Sequence, residues 1–496
     1  MAQLPGEVDV LIVGAGISGI SMAAHMRMMC PNRSFAMVDR RDDLGGTWNL
    51  FKYPGIRSDS DMHTFGFRFE PWIHEQSIAD GPNIIEYLNR VVDTRGIRPH
   101  IYFGEKVLSA DWRADEARWH VELEASDGAR RQVIASFLYL GSGYYDYDDP
   151  HNPEFRGRET FAGQIVHPQF WPEDLDYDGK KVVIIGSGAT AVTILPAMAD
   201  KTAHITMLQR TPTWMGARPQ KDKIANWLRK VLPGKLAYRI TRFKNVRMHS
   251  WLFKRARGEP EKVANFLLNA AEKALGPAWK KEDYTPPYGP WEQRLCLVPD
   301  GDLFKAVRSG KASVRTGTID RFDATGILLT SGEHLDADII ITATGLRLAI
   351  GGKIAVSLDG KPIEWSQRWF YRGCMFSNMA NFAVVFGYLN ASWTLRADNT
   401  AHYICEVLNR MEALGADVAY PALPDESVLT EENPLDMFSS GYLARGRDLM
   451  PKSAERLPWR LNQDYLEDLR DFKERPVDDG VLAFEHHKEA LAQAAE

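Results

Sequence analysis

VLIVGAGISG, residues 10–19, contains a GxGxxG sequence that follows an apolar run and precedes a stretch of helical composition. Gly14 permits the tight turn between strand and helix, Gly16 allows a pyrophosphate to approach the backbone, and Gly19 lets the helix pack on the strand. Asp39 lies about 20 residues beyond the turn, where a carboxylate can accept hydrogen bonds from ribose hydroxyls. The segment therefore predicts a strand–turn–helix unit that binds a dinucleotide.

A second segment, VVIIGSGATA, places Gly186, Gly188 and Ala191 at the same three positions, and alanine is accepted at the third. Arg210 and Thr211 lie at the end of the next predicted strand. A guanidinium there suits the 2′-phosphate of NADP, although a merely solvated arginine is the alternative. The two units together predict an α/β fold with two doubly wound, Rossmann-like dinucleotide-binding domains.

The composition excludes several other classes of protein. The chain has 496 residues, of which 44% are hydrophobic and 25% charged, and its net charge of −6 gives no electrostatic reason to expect nucleic acid. Four cysteines lie far apart without CxxC spacing, which disfavours a metal site or a redox disulfide and fits a reducing cytosol. The N-terminus lacks a basic segment typical of a signal peptide, and no apolar run approaches the roughly 20 residues that span a bilayer. We therefore expect a cytoplasmic protein.

Residues 216–290 break the alternation of strands and helices and have apolar residues at helical spacing. From Lys221 to Arg257 there are twelve Lys or Arg and one acidic residue, Asp222. A basic amphipathic helix can lie on an anionic membrane surface. The alternative, which we prefer on sequence alone, is a helical cap whose charged face is only solvated. The segment thus predicts at most a weak contact between 221–257 and a membrane surface.

The segment FAGQIVHPQFWP lies between the two dinucleotide units. Phe161, Gly163, His167, Trp171 and Pro172 match the FxGxxxHxxxW(P/D) fingerprint, and the frequencies of these residues give a chance match of roughly 10⁻⁴ per chain. The chain therefore resembles the type I Baeyer–Villiger monooxygenases. Related flavin-containing monooxygenases end the pattern in Phe or Tyr. The segments GGTW, YPGIRSDSD, QRTP, QRLCL and NASWTL are also similar to segments of the family.

This resemblance implies FAD at the first unit, NADPH at the second, molecular oxygen as co-substrate, and ketones or sulfides as substrates. Gly46, Thr47 and Trp48 of GGTW are then expected to contact FAD. In the family, the arginine of the RLCL segment stabilises a negatively charged peroxyflavin, and here that residue is Arg294. The aspartate of the YPG-R-x-D segment partners this arginine beside FAD, and here it is Asp59. Arginine suits the role because it keeps its charge.

The resemblance also assigns a conformational role to His167, which is expected to couple domain movement to the reaction cycle instead of acting as a base. Many relatives carry a lysine just before the RLCL arginine to hold the 2′-phosphate, whereas this chain has Gln293. Preference for NADPH over NADH would then be weaker and would rest on Arg210 and Thr211.

The apolar run ADIIITATGL closes on Thr344 and Gly345, as a strand does beside a ligand crevice. We therefore expect the chain to return there to its first domain. Each nucleotide domain would then consist of two stretches. The expected FAD domain comprises 1–150 and 336–496 with the C-terminal region, the NADP domain comprises 151–215 and 291–335, and a helical insertion occupies 216–290.

The predicted function is an FAD-containing, NADPH- and O2-dependent monooxygenase that converts ketones to esters or lactones through a C4a-peroxyflavin and also oxygenates sulfides. One alternative is a flavin-containing monooxygenase that acts only on nitrogen and sulfur. A second alternative is a redox sensor that binds FAD and NADPH without physiological turnover. A pyridine nucleotide–disulfide oxidoreductase shares the two units but requires a redox cysteine pair, which the cysteine spacing does not provide.

Overall fold

The computed structural model describes residues 3–293, 295–432 and 441–487, and only the backbone of residues 442 and 444. The strands are β1 (Glu7–Val13), β2 (Phe35–Asp39), β3 (Ile101–Phe103), β4 (Glu105–Arg113), β5 (Arg118–Ala125), β6 (Arg130–Leu140), β7 (Gln164–Val166), β8 (Lys181–Ile185), β9 (His204–Gln209), β10 (Met215–Arg218), β11 (Cys296–Pro299), β12 (Ala312–Thr316), β13 (Ile319–Asp323), β14 (Gly326–Leu329), β15 (His334–Asp336), β16 (Ile339–Thr342), β17 (Ala355–Leu358), β18 (Lys361–Pro362), β19 (Phe370–Tyr371), β20 (Met375–Phe376), β21 (Phe382–Val384), β22 (Val418–Pro421) and β23 (Leu482–Glu485). The α-helices are α1 (Ile17–Met29), α2 (Thr47–Leu50), α3 (Met62–Phe65), α4 (Gly81–Thr94), α5 (Ala189–Met198), α6 (Lys223–Val231), α7 (Gly234–Gly258), α8 (Pro260–Leu275), α9 (Lys281–Tyr284), α10 (Asp302–Arg308), α11 (Trp393–Leu414), α12 (Gly441–Arg445) and α13 (Tyr465–Glu474).

The first sheet contains the first glycine-rich unit. Its strand order is β18-β17-β4-β5-β6-β1-β2-β3, and β21 also pairs with β6. β1 runs parallel to β2 and β6, with Val10 opposite Phe35 and Phe137. Val10, Leu11 and Ile12 are fully buried, as expected of a parallel strand that is covered on both faces. Helix α1 follows β1 and packs against α11.

The second sheet is parallel, has the strand order β12-β9-β8-β16-β7, and contains the second glycine-rich unit after β8. The apolar run that we expected to open the return to the first domain near residue 336 is β16, and it pairs with β7 and β8 in this second sheet. That boundary is therefore wrong: the chain rejoins the first sheet only at β17, which pairs with β4. Strand pairing decides sheet membership, and a short apolar run looks alike in either sheet.

The insertion predicted at 216–290 is largely helical and contains α6, α7, α8 and α9. Helix α7 packs against α3 and α6, while α8 packs against α10 and β10. A three-stranded antiparallel sheet, β13-β14-β15, lies between β12 and β16 in the chain. In the part of the chain that the structure describes, none of the helices has both the length and the apolar character needed to cross a bilayer.

Candidate active site

The turn between β1 and α1 is closed by backbone contacts that leave no room for side chains. Gly14 has a φ of +103°, and a Cβ atom on it would lie 2.7 Å from the Gly141 carbonyl oxygen. A Cβ atom on Gly19 would lie 1.8 Å from the Gly14 carbonyl oxygen. Because backbone cannot yield as a flexible side chain does, the sequence requires glycine at both positions. The roles predicted for these two glycines agree with this geometry.

Asp39 ends β2 beside this turn. Its carboxylate accepts hydrogen bonds from the Ala15 amide at 2.7 Å and the Arg41 amide at 2.9 Å. Burial raises the pKa of Asp39, and the two amides partly offset that rise. The carboxylate therefore holds the glycine-rich turn against the end of β2.

The GGTW segment lies directly against the same turn. The Gly45 amide donates to the Ala15 carbonyl at 2.9 Å, and a Cβ atom on Gly46 would lie 3.1 Å from the Gly16 Cα. The Thr47 hydroxyl is 3.2 Å from the Tyr147 hydroxyl. Trp48 packs edge-on against Phe65, with 5.5 Å between the ring centroids. The structure thus brings together all the residues of the predicted FAD site that precede residue 50.

This first site fits a bound dinucleotide. The Ser142 hydroxyl is buried and has no hydrogen-bond partner among the described residues, and the Ser142 Cα would be 3.2 Å from a Cβ on Gly14. The N-terminus of α1 carries the positive end of the helix dipole and faces the glycine-rich turn. No acidic residue in the first turn of the helix offsets this positive charge. A polar group that carries phosphate would satisfy both features.

The second glycine-rich turn fits an anionic ligand equally well. Gly188 caps the N-terminus of α5, and a Cβ atom on it would meet no atom within 4 Å, so a side chain there would project into open space. The Ser187 hydroxyl donates to the Thr211 carbonyl at 3.2 Å, which joins the turn to the segment after β9. Arg210 is exposed at the end of β9, and Ala191 is fully buried in the first turn of α5. This arrangement places a cation and a helix N-terminus at one edge of the second sheet.

The YPGIRSDSD loop spans the two nucleotide units. A Cβ on Gly55 would lie 2.6 Å from the Ala197 Cβ of α5. Arg57 forms hydrogen bonds of 2.5 and 3.4 Å with the Asp302 carboxylate, at the start of α10. Since α10 follows the RLCL segment, this ion pair holds the loop that contains exposed Asp59 near that segment. Arg294 itself lies outside the described residues.

Sequence reasoning missed a buried carboxylate in the same loop, Asp61. Asp61 caps α3 by accepting from the His63 and Thr64 amides, and it also accepts from Asn245 of α7 at 2.9 Å. The Arg218 guanidinium lies 3.4 Å from the Asp61 carboxylate. Burial raises the pKa of Asp61, but Arg218 and the neighbouring polar groups lower it by more, so the net shift is downward. An aspartate just before a short helix is an N-cap signal that the sequence does contain. Its contact with α7, however, is set by the tertiary fold.

The fingerprint segment packs on the second sheet. β7 pairs with β16, and a Cβ on Gly163 would lie 2.2 Å from the Asp338 carbonyl oxygen. Phe161 is buried against Phe322, Trp171 is half-buried against the core of the second sheet, and Pro172 is exposed.

The ring of His167 is held by a hydrogen bond within its own segment. Its Nδ1 accepts from the Gln169 amide at 3.2 Å, and the Gln169 side-chain amide donates to the Asp146 carbonyl at 3.0 Å. Burial, together with nearby Arg158 and His151, lowers the pKa of His167 to about 4. The imidazole is therefore neutral at physiological pH, and its buried Nε2 has no partner among the described residues.

A cavity of about 60 Å³, lined by both apolar and polar side chains, lies between α7 and the segment that contains NASWTL. Val246 and Phe253 of α7 line one wall, and Ala391 and Leu395 line the other. The neighbouring Trp393 does not line the cavity: its indole N–H donates to the Ser18 hydroxyl of α1 at 2.8 Å. This contact connects the cavity wall to the helix that follows the first glycine-rich turn.

Comparison with known proteins identifies full-length relatives. The sequence model of the family described as pyridine nucleotide-disulphide oxidoreductase matches residues 11–250. The chain is 48% identical over 489 residues to the FAD-containing monooxygenase EthA of Mycolicibacterium smegmatis, with 98% of this chain and 99% of that protein covered. It is 47% identical over 480 residues to the probable FAD-binding monooxygenase AlmA of Acinetobacter baylyi, with 97% and 96% covered.

Among solved structures, an oxidised steroid monooxygenase bound to NADP superimposes with a TM-score of 0.78 at 20% identity, over 97% of this chain and 100% of that chain. This likeness confirms the predicted fold class, two doubly wound nucleotide-binding domains with a helical insertion. The four cysteines all lie in the described part of the chain, each as a buried thiol without a disulfide. The match to 11–250 therefore reflects the nucleotide-binding scaffold and not a redox-active cysteine pair.

Proposed function

The chain belongs to the FAD-containing monooxygenases of the Baeyer–Villiger type, and from that premise we propose that it uses NADPH and molecular oxygen to convert ketones to esters or lactones and to oxygenate sulfides. The observation that carries the proposal is the intact fingerprint between two glycine-rich turns, in a chain with 48% identity to EthA along 98% of its length. Family membership also agrees with the resemblance inferred from the fingerprint.

We assign FAD to the first sheet and NADPH to the second. When bound, the flavin supplies the redox chemistry that passes electrons from NADPH to dioxygen. A steroid monooxygenase with this fold binds NADP, which supports NADPH as one of the two cofactors. The residues proposed to hold FAD are Gly14, Gly16, Gly19, Asp39, Gly46, Thr47, Trp48 and Asp59. The residues proposed to hold NADPH are Gly186, Gly188, Ala191, Arg210 and Thr211.

We propose that Arg294 provides a fixed positive charge where negative charge develops during oxygen transfer. A guanidinium keeps its proton in a dry site, so its charge does not depend on the protonation of a neighbour. Asp59 would position this cation, and the ion pair between Arg57 and Asp302 holds the two segments in register. Neutral His167 would connect the two sheets during domain movement instead of transferring a proton.

The cavity between α7 and α11 is the proposed substrate site. The apolar part of its walls would contact the hydrocarbon part of a small ketone or sulfide, beside the polar side chains of His249, Lys254 and Asp464. The contact between Trp393 and Ser18 supports a position beside the first glycine-rich turn. The main task of these walls would be to exclude water, because water in the site would favour release of hydrogen peroxide over oxygenation of the substrate.

The test is product analysis by mass spectrometry after FAD-loaded protein receives NADPH, ¹⁸O₂ and a mixture of aliphatic ketones, aryl ketones and thioethers. We expect esters that carry one heavy oxygen, together with labelled sulfoxides. Labelled sulfoxide without any ester would instead assign the protein to the monooxygenases that act only on nitrogen and sulfur. Labelled peroxide alone would favour the redox-sensor alternative.

A variant separates the role of Arg294 from a general loss of folding. Arg294→Ala should lower ester formation by about 100-fold or more, the usual cost of removing one preorganised charge-stabilising group. The matched control is Arg315→Ala, which removes an arginine from a surface ion pair with Glu333. Equal losses of product in the two variants would contradict the assignment.

A further inference from the structure

The outward faces of α6 and α7 present large apolar side chains to solvent. Trp227 is 60% exposed, Phe243 is 59% exposed and Trp251 is 55% exposed. Apart from Met248 and Leu252 of α7, the exposed apolar residues recur at helical spacing, so on each helix they form one stripe. These residues are Ile224, Trp227 and Val231 on α6, and Leu236, Ile240, Phe243 and Trp251 on α7. We call this surface the α6–α7 face.

The opposite side of α7 is fixed to the first domain. The Tyr238 hydroxyl donates to the Phe67 carbonyl at 2.9 Å. Buried Arg242 donates to the carbonyls that end α3, and it lies 3.6 Å from the Asp398 carboxylate. With its buried side anchored in this way, the helix presents its apolar stripe outward as a fixed surface.

Positive charge surrounds this stripe. Apart from the buried Arg242, residues 223–258 contain ten Lys or Arg and no Asp or Glu. The Arg247 guanidinium lies 3.6 Å from the centroid of the Phe243 ring, and the Arg255 guanidinium lies 5.3 Å from the centroid of Trp251. Lys230 and Lys235 are exposed at the junction of the two helices. Cations that flank exposed aromatic rings match the boundary between lipid headgroups and acyl chains.

We propose that the α6–α7 face docks on an anionic lipid surface, with its apolar stripe in the acyl boundary and its Lys and Arg side chains among the headgroups. The solvated cap that we preferred on sequence alone does not explain why seven large apolar residues point outward. A second copy of this chain fits less well, because a symmetric contact through this face would bring the same cations together. The inference is independent of the proposed reaction.

Flotation of the FAD-loaded protein with vesicles tests the proposal. We expect binding to vesicles of phosphatidylglycerol and phosphatidylcholine, and much weaker binding to phosphatidylcholine alone. Phe243→Gln/Trp251→Gln should lower the affinity for these vesicles about 100-fold, because each ring withdrawn from the acyl boundary costs about tenfold. The matched control is Leu414→Gln/Val428→Gln, which replaces two exposed apolar residues elsewhere and should bind as the unmodified protein does.

A charge variant provides an independent readout that does not depend on the apolar stripe. Lys230→Glu/Lys235→Glu should weaken binding by more than about 20-fold, at roughly fivefold for each cation lost. Its control, Lys106→Glu/Lys361→Glu, makes the same change in net charge on the first sheet. Equal losses in test and control variants would overturn the proposal. So would an absence of vesicle binding, or a dimer in sedimentation equilibrium that the Phe243→Gln/Trp251→Gln change dissociates.

Discussion

Gly188 is the position where one added side chain tests the second nucleotide site most directly. Its φ of −76° and ψ of −179° are accessible to any residue, and a Cβ there would meet open space within the protein. Gly188→Val should therefore fold normally but obstruct the approach of a pyrophosphate to α5. We expect the KM for NADPH to rise more than about tenfold, with no more than the loss of about 1 kcal/mol in stability that valine causes at a helix N-cap.

The control for this change is Gly234→Val, at the start of α7, where a Cβ would also meet no atom within 4 Å. It adds the same side chain far from either glycine-rich turn and should leave the KM for NADPH unchanged. If Gly188→Val and the unmodified protein have a similar KM for NADPH, the second glycine-rich turn is not part of the NADPH site.

His167 provides a prediction about pH. Its pKa in the folded protein, about 4, is below the ordinary value of 6.5, so the unfolded chain binds more protons between these pH values. The contribution of His167 to stability is therefore complete above pH 6.5 and is lost as the pH falls towards 4. His167→Gln keeps an acceptor for the Gln169 amide but cannot titrate, so the free energy of unfolding should decline less steeply over this range. Urea unfolding at successive pH values measures the slope, and an NMR titration midpoint near 6.5 for His167 would contradict the argument.

At the scale of elements, local and non-local features differ in how far the sequence predicts them. The two glycine-rich turns were predictable because close backbone packing, such as that of Gly19 on Gly14, requires glycine at fixed spacing. The sheet that contains β16 was not, because its partners β7 and β8 lie more than 150 residues away in the chain. Likewise, the sequence predicts that 221–257 is helical and basic, yet only tertiary contacts reveal that Arg242 is buried while Phe243 is exposed.

The ion pair between Arg57 and Asp302 is a further non-local contact, and it is proposed to hold the Asp59 loop near the RLCL segment. The two side chains are 16% and 31% exposed, so the pair is less screened than one at the surface. A double-mutant cycle with Arg57→Ala and Asp302→Ala should give a coupling of about 1 kcal/mol in the free energy of unfolding. The control cycle uses Arg315 and Glu333, which are more exposed, and should give less than about 0.5 kcal/mol. Additive effects of the first two substitutions would show that this ion pair does not fasten the loop.

At the scale of the whole molecule, the two glycine-rich turns are proposed to bind separate cofactors, while α7 carries the cavity wall on one side and the α6–α7 face on another. Substrate binding and the proposed lipid contact would thus share one helix. Arg242 and Asn245 join α7 to α3 and to Asp61, so the helix of the α6–α7 face also contacts the loop that contains Asp59 and Asp61.

The assignment of one cofactor to each sheet predicts two separate patterns of amide hydrogen exchange. A ligand at about 100 times its Kd stabilises the state it binds by about 2.7 kcal/mol, which slows exchange through opening of that state about 100-fold. Adding FAD to the apo-protein should protect β1, β2 and α1, whereas adding NADP⁺ to the FAD-loaded protein should protect β8, β9 and α5. In Gly188→Val the second pattern should disappear and the first should remain, because the substitution lies in the second turn alone. Protection of β1 and β2 by NADP⁺, or uniform protection of both sheets by FAD, would contradict the assignment. The cofactor contacts proposed for Asp39 and Arg210 would then be wrong.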